Sequence, residues 1–184
     1  MSGVSDLYDC ASEFLGACEQ AVAVSPGGPI ARSYVSPGPP SINCPPELIV
    51  YVGGPGEADT RPTTPQLATG HRAGSPGGYG AVHLIRLVAV VVRCTPTLRD
   101  DGSFPDPAAE EAAAVETIGD VWAVWNVVRA LYKAGLIFTN PDGSQRELWF
   151  EQAVPLATSG GAAGWSIGIR VSLYGFAPQV VVSP

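Results

Sequence analysis

Lysine is nearly missing from this chain: Lys133 stands alone beside nine arginines. Charged residues make up only 15% of the 184 positions, well below the usual quarter. Their balance is acidic, 10 basic against 17 acidic side chains, for a formal net charge of −7 and a pI near 4.7. That balance argues against a protein that grips nucleic acid through a basic footprint. No C-x-x-C joins the four cysteines, Cys10, Cys18, Cys44 and Cys94, so the close ligand pairs of a zinc site are missing. There is no G-x-S-x-G elbow. The Gly-rich run from Gly74 to Gly80 precedes a strand and lacks the Gly-Lys-Ser/Thr of a phosphate loop. The longest fully apolar run, 87–92, is far too short to cross a bilayer. The start, Met1-Ser2-Gly3-Val4-Ser5-Asp6, has neither the positive region nor the apolar core of a signal peptide. The expectation is a soluble product that stays in the cytoplasm, with its four cysteines as reduced, buried thiols.

What is present is apolar and punctuated. Apolar residues form 46% of the chain, with 22 glycines and 18 prolines. Leu7, Cys10, Phe14, Leu15, Cys18 and Val22 recur at helical spacing, which predicts a helix over 6–23 with Ser5 as its cap. Short extended pieces are expected at 30–35 and 48–52. Residues 53–80 hold eight glycines and four prolines without periodicity and form a long loop. Residues 81–94 are apolar at both parities, the mark of a central strand covered on both faces. Asp106 followed by Pro107 opens a second helix, which runs to about 134 before Gly135. Its buried stripe is expected to be Ile118, Val121, Trp122, Trp125, Val128, Leu131 and Tyr132. An extended piece at 136–139, a turn at Asn140-Pro141-Asp142-Gly143, and strands over 147–156 and 164–174 follow. This order predicts one α+β domain over 1–176, an antiparallel sheet of four to five strands with two helices packed on one face. Residues 177–184 form a Val-rich arm.

Three arginines, Arg86, Arg93 and Arg170, fall in otherwise apolar strands. A charge there needs a partner, and a carboxylate from another subunit would supply it. The apolar strand, the Trp-rich helix and the arm point the same way, to an oligomer. Between Asp100 and Asp120 lie seven acids and no base. Those on the helix are read as solvated and dipole-matched, while Asp100 and Asp101 sit at a loop tip, able to face a channel or a basic partner. His71 lies in the long loop beside Arg72, and His83 lies in the apolar strand as a core or interface residue. No cofactor or metal is expected.

The chain resembles the tail terminator (tail-completion) proteins of long-tailed bacteriophages, in particular phages of actinobacteria. The segments that carry the resemblance are Asp6-Leu7-Tyr8-Asp9-Cys10, Pro46-Glu47-Leu48-Ile49-Val50-Tyr51-Val52, and 84–96 ending in Val92-Arg93-Cys94-Thr95-Pro96. They continue with Asp100-Asp101-Gly102, the long helix, Val154-Pro155-Leu156, and Gly160-Gly161-x-x-Gly164-Trp165-Ser166-Ile167. The resemblance implies a structural virion protein without catalytic residues. Six copies would form a hollow ring at the head-proximal end of the tail tube, ending tube polymerisation and meeting the head connector while DNA passes without specific binding. Its partners would be other copies, the major tail tube protein and the connector or head-closure protein, and no membrane. The expected contact surface comprises Arg86, Arg93, Arg170, His71, Arg72 and Tyr79 with Val180, Val181 and Val182 of the arm; Asp100 and Asp101 would face the lumen or connector. The alternatives are another head-tail connector or tail-tip ring, a small cytoplasmic enzyme built on His83, Asp100 and Asp101, and a binding module with Trp122 and Trp125 lining a pocket.

Overall fold

A computed structural model describes residues 2–41, 46–53, 82–97, 102–156 and 161–174. The elements run α1 (Ser2–Ala23), β1 (Arg32–Ser36), β2 (Glu47–Gly53), β3 (Val82–Cys94), α2 (Pro107–Lys133), β4 (Leu148–Phe150), β5 (Val154–Pro155) and β6 (Ala162–Tyr174). The fold is α+β. Among the described residues its sheet has six strands in the order β1-β2-β3-β6-β4, with β5 also on β6. β1 is parallel to β2 and every other pairing is antiparallel. The sheet is therefore mixed and larger than the four to five antiparallel strands expected. One added strand arises because the predicted strand 147–156 is broken in two, and both pieces pair with β6.

Strand parity sets the two faces of the sheet. Leu48 and Val50 of β2, Leu87, Ala89 and Val91 of β3, and Ile167, Ile169, Val171 and Leu173 of β6 share one core with both helices. From α1 this core takes Cys10, Ala11, Phe14, Ala17, Cys18, Ala21 and Val22, and from α2 Val121, Val124 and Val128. Phe14 is fully enclosed, which stabilises by roughly 1.5–3 kcal/mol relative to exposure. The opposite parity builds a second buried cluster of Ile49, Tyr51, Val88, Val90, Val92 and Ala162, with Tyr34 and Leu156 leaning on it. The two-sided apolar pattern of β3 is thus matched by burial on both faces.

α2 begins as its sequence predicts. Asp106 accepts a hydrogen bond from the Ala108 N–H, Pro107 occupies the first turn, and Gly135 follows the helix at φ 68°. Its rotation differs from the expectation. The buried residues are Thr117, Asp120, Val121, Val124 and Val128, whereas Ile118 and Trp122 are 48% and 59% exposed. The cause is Asp120, which is read from sequence as a solvated acid but is wholly buried. The Arg93 Nε donates to Asp120 Oδ2 at 2.9 Å and its Nη2 to Oδ1 at 3.0 Å. The same guanidinium donates to the carbonyls of Gly27 at 2.8 Å and Gly28 at 2.7 Å, and the Ser25 hydroxyl donates to Asp120 Oδ1. A bidentate, fully hydrogen-bonded pair is the form in which a buried charge is tolerated. Beside it Pro26 lies so close to Gly119 that a Cβ there would stand 2.6 Å from the proline Cδ.

Other departures have local causes. α1 starts at Ser2, so Ser5 lies inside the helix rather than capping it. The expected extended piece 136–139 is bent at Ile137 and Phe138 and pairs only at Thr139, in an isolated antiparallel bridge to Gln145. Phe138, fully buried, sits at φ 56°, its N–H donating to Glu13 Oε2 at 2.7 Å and its carbonyl accepting from the Arg146 N–H at 2.8 Å. Such a conformation costs a non-glycine residue of order 1–3 kcal/mol and persists because its surroundings fix it. In the following turn, hydrogen bonds from Ser144 hold the exposed Asp142 carboxyl below its ordinary range.

Cys10 and Cys18 are buried free thiols, as expected. Cys94 departs from the expectation of a reduced thiol: it is disulfide-bonded. It lies at the end of β3, past the buried run and exposed, where a thiol is accessible to oxidation. Cys44 lies outside the described residues. Burial pushes the Cys10 thiol from its ordinary 9.0 up to about 11, against the pull of nearby Arg146, and burial pushes Cys18 further still.

Truncating Asp120→Ala strands the Arg93 charge in the core and should cost about 3–5 kcal/mol in urea unfolding. For Cys10 the folded pKa lies above the unfolded one, so its contribution is complete below pH 9.0 and fades as pH rises toward about 11. The alkaline decline in stability across that window should be shallower in Cys10→Ala than in the wild type, measured by denaturant midpoints.

Candidate functional site

The three strand arginines were the sequence's main pointer to a site. All three find carboxylates inside their own chain. Arg93, at 6% exposure, is taken by Asp120. Arg86 and Arg170 face each other across β3 and β6 on the sheet face opposite the helices. Glu151 lies between them, its Oε2 accepting from Arg86 Nε at 2.7 Å and its Oε1 from Arg170 Nε at 2.7 Å. The physical demand for a partner was sound, but no intersubunit carboxylate is needed to meet it.

The geometry of this cluster follows from the broken edge strand. Between β4 and β5, Glu151 keeps one ladder bond, from its N–H to the Gly168 carbonyl at 2.9 Å. Its side chain lies flat over Gly168, where a Cβ would come within 2.4 Å of Glu151 Oε2. One carboxylate thus screens two like charges that would otherwise repel across the strands. The three side chains are 18–24% exposed, so the cluster is a partly hydrated clamp that fixes the 151–153 bend to the sheet.

Glu151 and Asp120 are the residues that sequence reasoning missed. Asp120 carried a signal: at helical spacing it falls in line with Thr117, Val121, Val124 and Val128. Glu151 carried only its place after Trp149 and Phe150, within a predicted strand. The remaining candidates, His71, Arg72, Tyr79, Asp100, Asp101, Val180, Val181 and Val182, lie outside the described residues. Nothing is described of the His83 side chain either. Among the described residues no cluster of three His, Cys, Asp or Glu could hold a metal ion, and no helix is long and apolar enough to cross a membrane.

The other conspicuous feature is apolar surface. Val115, Ile118 and Trp122 of α2 are about half exposed, as are Leu84 and Val154, and Phe104 is 81% exposed. Trp122 meets Trp125 edge-on, ring centroids 5.7 Å apart and planes at 89°. Trp122 is thus not the buried stripe residue expected from sequence. No protein-family model matches the chain, and no curated protein matches it significantly.

Removing the shared carboxylate with Glu151→Gln should destabilise the fold by about 1–3 kcal/mol, as both arginines lose this anionic acceptor. The loss should shrink with added salt as the Arg86–Arg170 repulsion is screened, which denaturant titrations at two ionic strengths would measure.

Proposed function

We propose that this chain is a structural virion protein of the tail-terminator kind. In this reading several copies, six by the resemblance, form a ring at the head-proximal end of a phage tail tube, stop its growth and join it to the head connector. The observation that carries the reading is the seating of its signature segments. Asp6 to Cys10 lies in α1, Glu47 to Val52 in β2, Leu84 to Cys94 in β3, Val154-Pro155 in β5 and Gly164 to Ile167 in β6, with the long α2 between. These signatures thus overlap structural elements in the order on which the resemblance rests, while Asp100 and Asp101 lie outside the described residues.

Two physical features favour the reading. The described surface exposes several large apolar side chains, as expected of a subunit finished by neighbours. A head-to-tail contact between copies closes into a ring when its rotation permits, and a net charge of −7 suits a conduit that passes DNA without holding it. The neck of the tail would then be the protein's place in the virion, beside the major tail tube protein and the connector.

Negative-stain images of the purified protein, alone and with tail tubes, test this directly. Annuli with a central passage, found at one end of the tubes, are the expected outcome. A particle that stays monomeric at high concentration, ignores tubes and is missing from assembled phage would falsify the reading.

A further inference from the structure

The outward side of α2 carries an ordered row at helical spacing: Glu111, Val115, Ile118, Trp122, Trp125 and Arg129. Its middle is apolar and open, with Val115 53%, Ile118 48% and Trp122 59% exposed. Trp125 is half-buried beside Trp122, and its indole N–H meets no acceptor. The ends are exposed and of opposite sign: Glu111 in the acidic first half of the helix, Arg129 near its C-terminus, where the guanidinium lies over the Phe150 ring.

This row is complementary to itself in one orientation. Laid antiparallel on a second α2 about a two-fold axis level with position 120, Glu111 meets Arg129, Val115 meets Trp125, and Ile118 meets Trp122. Each pairing occurs twice, as a two-fold contact requires. A parallel arrangement would set Glu111 on Glu111 and Arg129 on Arg129, with the helix dipoles aligned unfavourably. We propose that the occupant of this face is the same face of a second copy of the chain. The apolar middle supplies the attraction, and the end charges fix direction and register. A contact of essentially two helices lies at the small end of interface sizes, so the pair should form reversibly at micromolar concentration.

This contact is separate from the head-to-tail contacts of a ring and does not rest on the tail-terminator reading. Sedimentation equilibrium of the full chain over a micromolar series tests it, with Trp122→Glu, Glu111→Arg, Arg129→Glu and the double reversal Glu111→Arg/Arg129→Glu. Circular dichroism checks that each variant is folded. The wild type should pair, and Trp122→Glu should abolish pairing. Each single reversal should weaken it by on the order of tenfold or more, most strongly at low salt, and the double reversal should restore it. A wild type that stays monomeric, an assembly indifferent to Trp122→Glu, or a double reversal no better than the singles would overturn the proposal. The first or second of these points to another occupant, such as a different protein. Annuli formed by a wild type that shows no two-fold pairing would sink the paired helices and leave the ring standing, whereas pairs that never form annuli would do the reverse.

Discussion

Arg93, the penultimate residue of β3, meets Asp120 of α2 beside the carbonyls of Gly27 and Gly28 that follow α1. The sheet and both helices are therefore tied at one point by one guanidinium. Such a pair adds little stability over a well-packed apolar alternative, but it permits few arrangements. Its consequence is rotational. With Asp120 held inward, Val121, Val124 and Val128 must enter the core, and Ile118 and Trp122 must face outward. A turn of the helix by one residue would bury tryptophan surface at the cost of leaving two buried charges without each other. Pro26 against Gly119 enforces the same rotation sterically.

This is also where the sequence was hardest to read. The ends of α2 were legible because their chemistry is local: Asp106, Pro107 and Gly135 act within a turn of where they stand. The two-sided burial of β3 was legible from its apolar runs at both parities. The facing of α2 was not, because apolar weight favours burying the tryptophans, and the term that wins, a charge pair with a residue of β3, is non-local. The parallel pairing of β1, the turn at Phe138 held by Glu13, and the bend at Glu151 have the same character. Each is fixed by a partner distant in sequence that periodicity cannot name.

The arginines show how a sound demand can be assigned to the wrong supplier. Arg86 and Arg170 do need a carboxylate, and directly opposed across β3 and β6 they share one. Glu151 reaches both because the edge strand breaks there and because Gly168 has no side chain in the way. With charge satisfied inside the chain, the case for contacts between copies no longer rests on unpaired cations.

It rests on what internal pairing leaves outside. Because Asp120 turns inward, an aromatic and aliphatic row is left on the far side of α2. Burial of such a row is the driving force association needs, while exposed charges at its two ends choose the orientation. Among the described residues the helix-and-sheet core and the buried Arg93–Asp120 pair are formed within one chain. If two copies pair through this row, association would follow folding as a separate and reversible step, controlled by concentration.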